Sequence, residues 1–310
     1  MPKRMSRFRT PAAAATYYEL YDELVARTWP VAHDELDVPT RFGTTRVRRS
    51  GPSDGDPIVL VHPTTGSSLG WATAVASLCD RHPVFTPDTI GTAGRSVQTA
   101  PIRSPADLVT WLDEVLDALD LDAVHLVGYS EGGWIAGLHA ALTDRPDRLS
   151  TLTLIEPGGA IERVPRRFIA NLVFRAARTL LARDKHRAIR DFNRWMNGDV
   201  ELTADQIELV LITFRSFRQK LPLPNRLPDE QLHRITAPTL LLLAADSKLY
   251  DPDQVAARAR RLLRDVCVEI TPDAGHGFLF EHPDQITARI LQFIEADHER
   301  PAAAPGGPAA

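Results

Sequence analysis

The pentapeptide Gly128-Tyr129-Ser130-Glu131-Gly132 decides how the rest of this chain is interpreted. The segment before it, residues 123–127 (AVHLV), is short, apolar and rich in β-branched side chains, which is typical of a buried strand. The segment after it, residues 133–142 (GWIAGLHAAL), has the small-residue pattern of a closely packed helix. A G-x-S-x-G motif between a strand and a helix predicts a sharp turn that presents its serine as a nucleophile. We therefore predict that Ser130 is catalytic.

Short apolar runs alternate with helical patterns on both sides of this motif. Runs that are apolar throughout, without alternation, are typical of strands buried on both faces of a parallel sheet. The alternation predicts an α/β fold with a doubly wound, mostly parallel sheet. The predicted strands around the motif are residues 57–62, 84–86, 151–155, 239–243 and 266–270.

The pattern changes between residues 160 and 234, where helical periodicity replaces the alternation. We interpret this stretch as a helical cap or lid, inserted into an α/β core that comprises residues 40–159 and 235–298. Residues 1–39 are predicted to be an N-terminal helical extension, and the core is expected to begin with a hairpin around Gly43. Residues 299–310 are rich in Pro, Gly and Ala and are predicted to be a disordered tail.

The composition of the 310-residue chain limits which binding partners and which cellular location are expected. Hydrophobic residues make up 44% and charged residues 25%, as is usual for soluble globular proteins, and a net charge of −4 gives no reason to expect nucleic acid. The two cysteines are far apart, and no Cys or His spacing typical of a metal site occurs, so we expect no metal and no cofactor. Neither a secretory signal nor a membrane span is indicated. We expect a cytoplasmic protein, with a homodimer as one option for its assembly.

A serine hydroxyl is a weak nucleophile until a base accepts its proton. His276 is the best candidate among the ten histidines, because it lies in the glycine-flanked loop Ala274-Gly275-His276-Gly277 after the last predicted strand. His125 and His139 lie inside a predicted strand and helix, where a structural role is expected. We predict that His276 is the base for Ser130.

Four motifs in this order resemble those of α/β-hydrolase fold enzymes: residues 62–66 (HPTTG), residues 87–96 (PDTIGTAGRS), the G-x-S-x-G pentapeptide and residues 274–276 (AGH). The resemblance covers about residues 40–296 and is greatest to bacterial esterase-like members and proline-iminopeptidase-type serine hydrolases. It implies a helical cap after the sixth strand. It also implies an oxyanion hole built from the backbone N–H groups of Thr64 and Glu131.

The acid that orients the histidine has two candidates. The family usually carries it just after strand seven, where Ser247 aligns with the expected position and Asp246 stands one residue before it; Asp251 is a weaker alternative. Other members carry the acid at the end of strand six, as Glu156 would. We keep Glu156 and Asp246 as alternatives, with Glu156 slightly preferred.

These features predict a serine hydrolase that cleaves a carboxylic ester, thioester or lactone of a small organic molecule through an acyl-enzyme on Ser130. A proline-iminopeptidase-like peptidase and a C–C bond hydrolase use the same three residue types and are the enzymatic alternatives. A protein of this fold that binds a ligand without turnover is an alternative of a different class.

Overall fold

The computed structural model describes residues 5–64 and 66–299 of the chain. Its β-strands, in chain order, are β1 (Arg7–Phe8), β2 (His33–Thr40), β3 (Gly43–Ser50), β4 (Ile58–Val61), β5 (Val84–Pro87), β6 (Val97–Gln98), β7 (Val124–Tyr129), β8 (Leu149–Ile155), β9 (Phe217–Arg218), β10 (Thr239–Ala244) and β11 (Val266–Thr271).

The α-helices complete the framework. They are α1 (Pro11–Thr28), α2 (Val75–Cys79), α3 (Pro105–Ala118), α4 (Glu131–Leu142), α5 (Arg166–Leu181), α6 (Lys185–Asn197), α7 (Ala204–Ser216), α8 (Asp229–His233), α9 (Pro252–Leu262), α10 (Phe278–Glu281) and α11 (Pro283–His298). Short 3₁₀ helices form at Ser68–Trp71 and Pro146–Arg148.

One large sheet runs in the order β11-β10-β8-β7-β4-β5-β3-β2, and β6 pairs with β3. The six strands from β11 to β5 are parallel, whereas β2 and β3 are antiparallel to their neighbours. Alternate residues of the strands face opposite sides: Val59 and Val61 pack with α3, α4 and α9, while Ile58 and Leu60 pack with α1, α2 and α11. The doubly wound, mostly parallel α/β fold is thus confirmed.

The N-terminal region differs in part from the prediction. Helix α1 is present, with the Thr10 hydroxyl accepting a hydrogen bond from the Ala13 N–H at its first turn. However, β2 begins at His33 and belongs to the main sheet, so residues 33–39 are not part of a helical extension. The sheet extends this far because β2 pairs along its whole length with β3. Arg41 and Phe42 form the turn between the two strands.

Helices α5, α6 and α7 lie between β8 and β10 in the chain, within the segment predicted to be the lid. The chain returns from them through β9, which pairs with β1 near the N-terminus, Phe217 opposite Phe8. The division into a core and a lid stays a prediction, and the predicted tail lies, apart from Glu299, outside the described residues. In the part of the chain that the structure describes, no helix is both long enough and apolar enough to cross a membrane.

Candidate active site

Ser130 occupies the sharp turn between β7 and α4. Its backbone angles, φ 55° and ψ −115°, fall outside the regions that a non-glycine residue prefers, and its N–H donates to the Ile155 carbonyl at 2.9 Å. The turn requires glycine beside it: a Cβ on Gly132 would lie 2.1 Å from the carbonyl oxygen of Val61. The sequence Gly-x-Ser-x-Gly therefore folds into a strained turn that the neighbouring strands hold in place.

His276 connects Ser130 to Glu156. Its Nε2 lies 3.1 Å from the Ser130 Oγ, and its Nδ1 lies 3.0 Å from the Glu156 Oε2. The imidazole is 6% exposed and Glu156 is fully buried. A neutral imidazole in this arrangement donates from Nδ1 to the carboxylate and accepts from the serine hydroxyl at Nε2, which is the geometry of a serine nucleophile with its base and orienting acid.

Glu156 directly follows β8 and is held by donors from the end of β10. The Ala244 N–H donates to Oε1 at 2.9 Å, and the Ser247 hydroxyl donates to Oε2 at 2.6 Å. A buried carboxylate is costly unless hydrogen bonds compensate for its lost hydration, and these groups together with His276 provide that compensation. Burial and the nearby Glu156 carboxylate also raise the pKa of Tyr250 well above its usual value, so this phenol stays neutral.

Asp246, the alternative acid, is not brought to His276. It lies in the turn after β10, where its backbone N–H donates to the Ala274 carbonyl at 2.9 Å, and its side chain is exposed. Its carboxylate has no hydrogen bond to any residue in the described ranges. Asp251 instead begins α9, accepting hydrogen bonds from the N–H groups of Asp253 and Gln254.

Thr64 and Glu131, the two predicted oxyanion donors, lie next to each other. Glu131 is the first residue of α4, and within residues 5–64 and 66–299 neither backbone N–H is engaged by an acceptor. The Glu131 side chain turns into the protein, where the Thr64 hydroxyl and the Gln219 amide donate to it. Burial raises the pKa of this carboxyl, and the two hydrogen bonds oppose that rise.

The loop that carries Thr64 is fixed by His62. The Thr89 N–H donates to His62 Nε2 at 2.9 Å, so the proton lies on Nδ1, which donates to the Pro63 carbonyl at 2.9 Å. Burial lowers the pKa of His62, which keeps the imidazole neutral. Pro63 has no N–H to donate, but its carbonyl oxygen accepts this hydrogen bond and so contributes to the loop.

Tyr129 is a site residue that the sequence did not reveal. Its hydroxyl donates to the His276 carbonyl at 2.5 Å, and its ring stacks against the imidazole with centroids 5.3 Å apart. Burial, with smaller contributions from Glu156 and Glu281, raises its pKa well above the usual value. The sequence shows that Tyr129 directly precedes Ser130, but its contact with the His276 loop depends on tertiary packing, which no local pattern reveals.

Residues from the predicted lid contact the edge of the sheet that carries Ser130. The Lys248 ammonium donates to the Trp195 carbonyl at 2.9 Å, and the Trp134 indole donates to the Asn225 carbonyl at 3.0 Å. The His276 loop touches the end of α6 closely, because a Cβ on Gly277 would lie 2.1 Å from the Asn197 carbonyl oxygen.

Comparisons with known proteins agree with this geometry. Carboxylesterase YbfK of Bacillus subtilis (strain 168) is 28% identical over 298 residues, which covers 93% of this chain and 96% of that protein. A putative carbamate hydrolase, RutD, of Caulobacter sp. (strain K31) is 27% identical over 261 residues, 80% of this chain and 94% of that protein.

The crystal structure of naproxen esterase (carboxylesterase NP) from Bacillus subtilis superposes with a TM-score of 0.82 at 26% identity, covering 92% of this chain and 99% of that one. The sequence profile of the alpha/beta hydrolase family matches residues 58–289, about three quarters of the chain. The resemblance inferred from the four motifs is confirmed, and this chain belongs to the alpha/beta hydrolase family.

Proposed function

We propose that this protein is a serine hydrolase that cleaves a carboxylic ester of a small organic molecule. The observation that carries the proposal is the position of His276, whose two ring nitrogens lie within hydrogen-bond distance of Ser130 and Glu156. The names of the relatives support the choice of substrate, since carboxylesterase YbfK and naproxen esterase both match more than nine tenths of the chain.

The mechanism follows from the direction of each hydrogen bond. Ser130 Oγ attacks the ester carbonyl while His276 Nε2 accepts its proton, and Glu156 stabilises the imidazolium that forms. The N–H groups of Thr64 and Glu131 donate to the carbonyl oxygen as it becomes negative, helped by the dipole of α4. His276 then protonates the departing alkoxide, which leaves an acyl group on Ser130. In the second half, His276 accepts a proton from water as the water attacks the acyl-enzyme; the bond to Ser130 Oγ then breaks, Oγ takes that proton back and the carboxylic acid is released.

An activity-based probe tests the nucleophile. We expect the intact protein to react covalently with a fluorophosphonate, because such probes require a serine activated by a base. Ser130→Ala should abolish labelling, whereas Ser53→Ala, in an exposed turn, should leave it unchanged. A folded protein that fails to label would favour the non-catalytic alternative.

A substrate panel separates ester hydrolysis from the other reactions. It comprises p-nitrophenyl esters of increasing acyl length, a p-nitrophenyl carbamate, proline p-nitroanilide and a vinylogous diketone acid for C–C cleavage. We expect the highest kcat/KM with an ester. The carbamate is included because a relative is named a putative carbamate hydrolase. A higher kcat/KM with the anilide or the diketone would replace the proposed reaction by the corresponding alternative.

We also infer a cytoplasmic location, since Cys79 and Cys267 are both free thiols in the structure and disulfides are rare in that compartment. A fractionation assay with antibodies against the untagged protein tests this inference.

The homodimer stays a prediction that light scattering of the purified protein can check.

A further inference from the structure

A second group of reactive side chains lies at the edge of the sheet opposite Ser130. Asp56 stands two residues before β4, and His125 is the second residue of β7, paired with Ile58 of the neighbouring strand. His298 is the last residue of α11. Three segments that are distant in the sequence thus meet where the parallel strands begin.

The spacing of these groups suits a metal ion. One ligand atom from each of Asp56, His125 and His298 lies within 4.8 Å of the others. The His298 Nε2 and the Asp56 Oδ2 are 3.4 Å apart. Two ligands at zinc distances of about 2.0–2.1 Å in tetrahedral geometry are about 3.3 Å apart, so this pair already has the required separation.

The His125 imidazole supplies an independent observation. It is fully buried, and its Nε2 has no hydrogen-bond partner among the described residues. Its Nδ1 lies 2.9 Å from the Thr151 hydroxyl. With Nδ1 as the donor to Thr151, the lone pair of Nε2 is free to bind a cation, and this use of the second nitrogen is common to metal-bound histidines.

A neighbouring histidine supports the cluster from outside it. His82 holds the segment that carries Asp56 in place, because its Nδ1 donates to the Asp56 backbone carbonyl at 2.8 Å. The His82 and His125 rings meet edge to face with centroids 6.0 Å apart.

We propose that Asp56, His125 and His298 form a structural binding site for a divalent transition-metal ion, with Zn²⁺ as the ion that two imidazoles and a carboxylate suit best. Water completes the coordination on the exposed side. The ion links the end of α11 to the segments where β4 and β7 begin. The site is separate from the proposed hydrolytic site and does not depend on it.

Zinc titration of the metal-free protein without a polyhistidine tag tests the proposal. Calorimetry should detect one saturable Zn²⁺ per chain, and thermal unfolding should shift to higher temperature as the site fills. Co²⁺ in place of Zn²⁺ should give visible absorption bands of a site with nitrogen and oxygen ligands. His298→Ala removes an exposed ligand at the end of α11, and Asp56→Asn replaces the exposed carboxylate by a neutral amide, which is a weaker zinc ligand. Each change should weaken zinc binding by at least about tenfold.

His186 and Glu208 provide a matched control. Their side chains are also 3.4 Å apart, and the His186 side chain is 45% exposed, as that of His298 is, but no buried third ligand joins them among the residues that the structure describes. His186→Ala should bind zinc as the unaltered protein does. The proposal is overturned if the protein shows no saturable zinc binding, if His298→Ala binds with unchanged affinity, or if His186→Ala weakens binding equally.

Discussion

Glu156 combines a strained backbone with a fully satisfied side chain. Its φ of 45° lies in the left-handed region, which costs a non-glycine residue about 1–3 kcal/mol. Hydrogen bonds from Ala244, Ser247 and His276 to its carboxylate offset this cost. In this backbone conformation the side chain extends from the end of β8 past the end of β10 and reaches His276.

The two candidate acids can be separated by matched substitutions. We expect Glu156→Gln to lower kcat by about 10³- to 10⁴-fold, because an amide neither fixes the imidazole tautomer nor stabilises the imidazolium. Asp246→Asn should leave kcat within about twofold, since its side chain faces solvent. Steady-state kinetics on the best ester of the panel measure both, and a larger loss in Asp246→Asn would reverse the assignment.

Ser247 is expected to act as a positioning residue through Glu156. Ser247→Ala removes a hydrogen bond to a buried charge, worth about 1.5–3 kcal/mol, so kcat should fall by about tenfold or more while KM stays nearly constant. Ser247→Thr keeps the hydroxyl and should restore most of the activity. Equal kcat in the alanine and threonine variants would show that the hydroxyl does not position the acid.

The sequence could single out the candidate nucleophile and base, Ser130 and His276, because both lie in local motifs, a strand–turn–helix and a glycine-flanked loop. The acid could not be chosen in the same way. Which carboxylate reaches His276 depends on the register of β8 against β10, a tertiary property. The group formed by Asp56, His125 and His298 was missed for the same reason, since its members are too far apart in sequence for any spacing rule.

Helix α4 offers a test of how closely its first turn packs against β4. Gly132→Ala should prevent folding or lower the free energy of unfolding by more than about 3 kcal/mol, because its Cβ would meet a strand carbonyl that cannot move. Gly137→Ala should raise it by up to about 1 kcal/mol, since the nearest atoms are 3.8 Å away and alanine favours helix. Urea denaturation of both variants measures the contrast, and similar changes in the two would contradict it.

Buried strands were predictable from their apolar runs, but the edge strand β2 was not. Its sequence, HDELDVPT, is mostly polar, and only Val38 is buried. Such a segment becomes a strand by pairing with β3 and not through its own pattern, so tertiary context decides it.

The whole molecule should be sensitive to mild acid. His125 in the folded chain has a pKa of about 4, and burial lowers that of His62, whereas unfolded histidine binds a proton near pH 6.5. Protons therefore favour the unfolded chain as the pH falls below 6.5. Between pH 7 and pH 5, His125 alone should lower the free energy of unfolding by about 2 kcal/mol.

Urea denaturation at pH 5, 6 and 7 in the presence of EDTA measures this loss without bound metal. His125→Asn should have a shallower dependence on pH whatever its stability at pH 7. His33→Asn, which changes a partly exposed histidine, should retain the slope of the unaltered protein. Identical slopes in the two variants would contradict the role of His125.

The pairing of β1 with β9 has a consequence for chimaeras built from relatives of this protein. The Arg9 N–H donates to the Ser216 carbonyl at 2.7 Å, and the Lys220 N–H donates to the Ser6 hydroxyl at 2.8 Å, on either side of the paired strands. The segment that follows α7 is thus held in place by residues close to the N-terminus of the chain. A recombinant that exchanges residues 160–226 alone would separate these partners, so a successful exchange must carry residues 6–9 from the same donor.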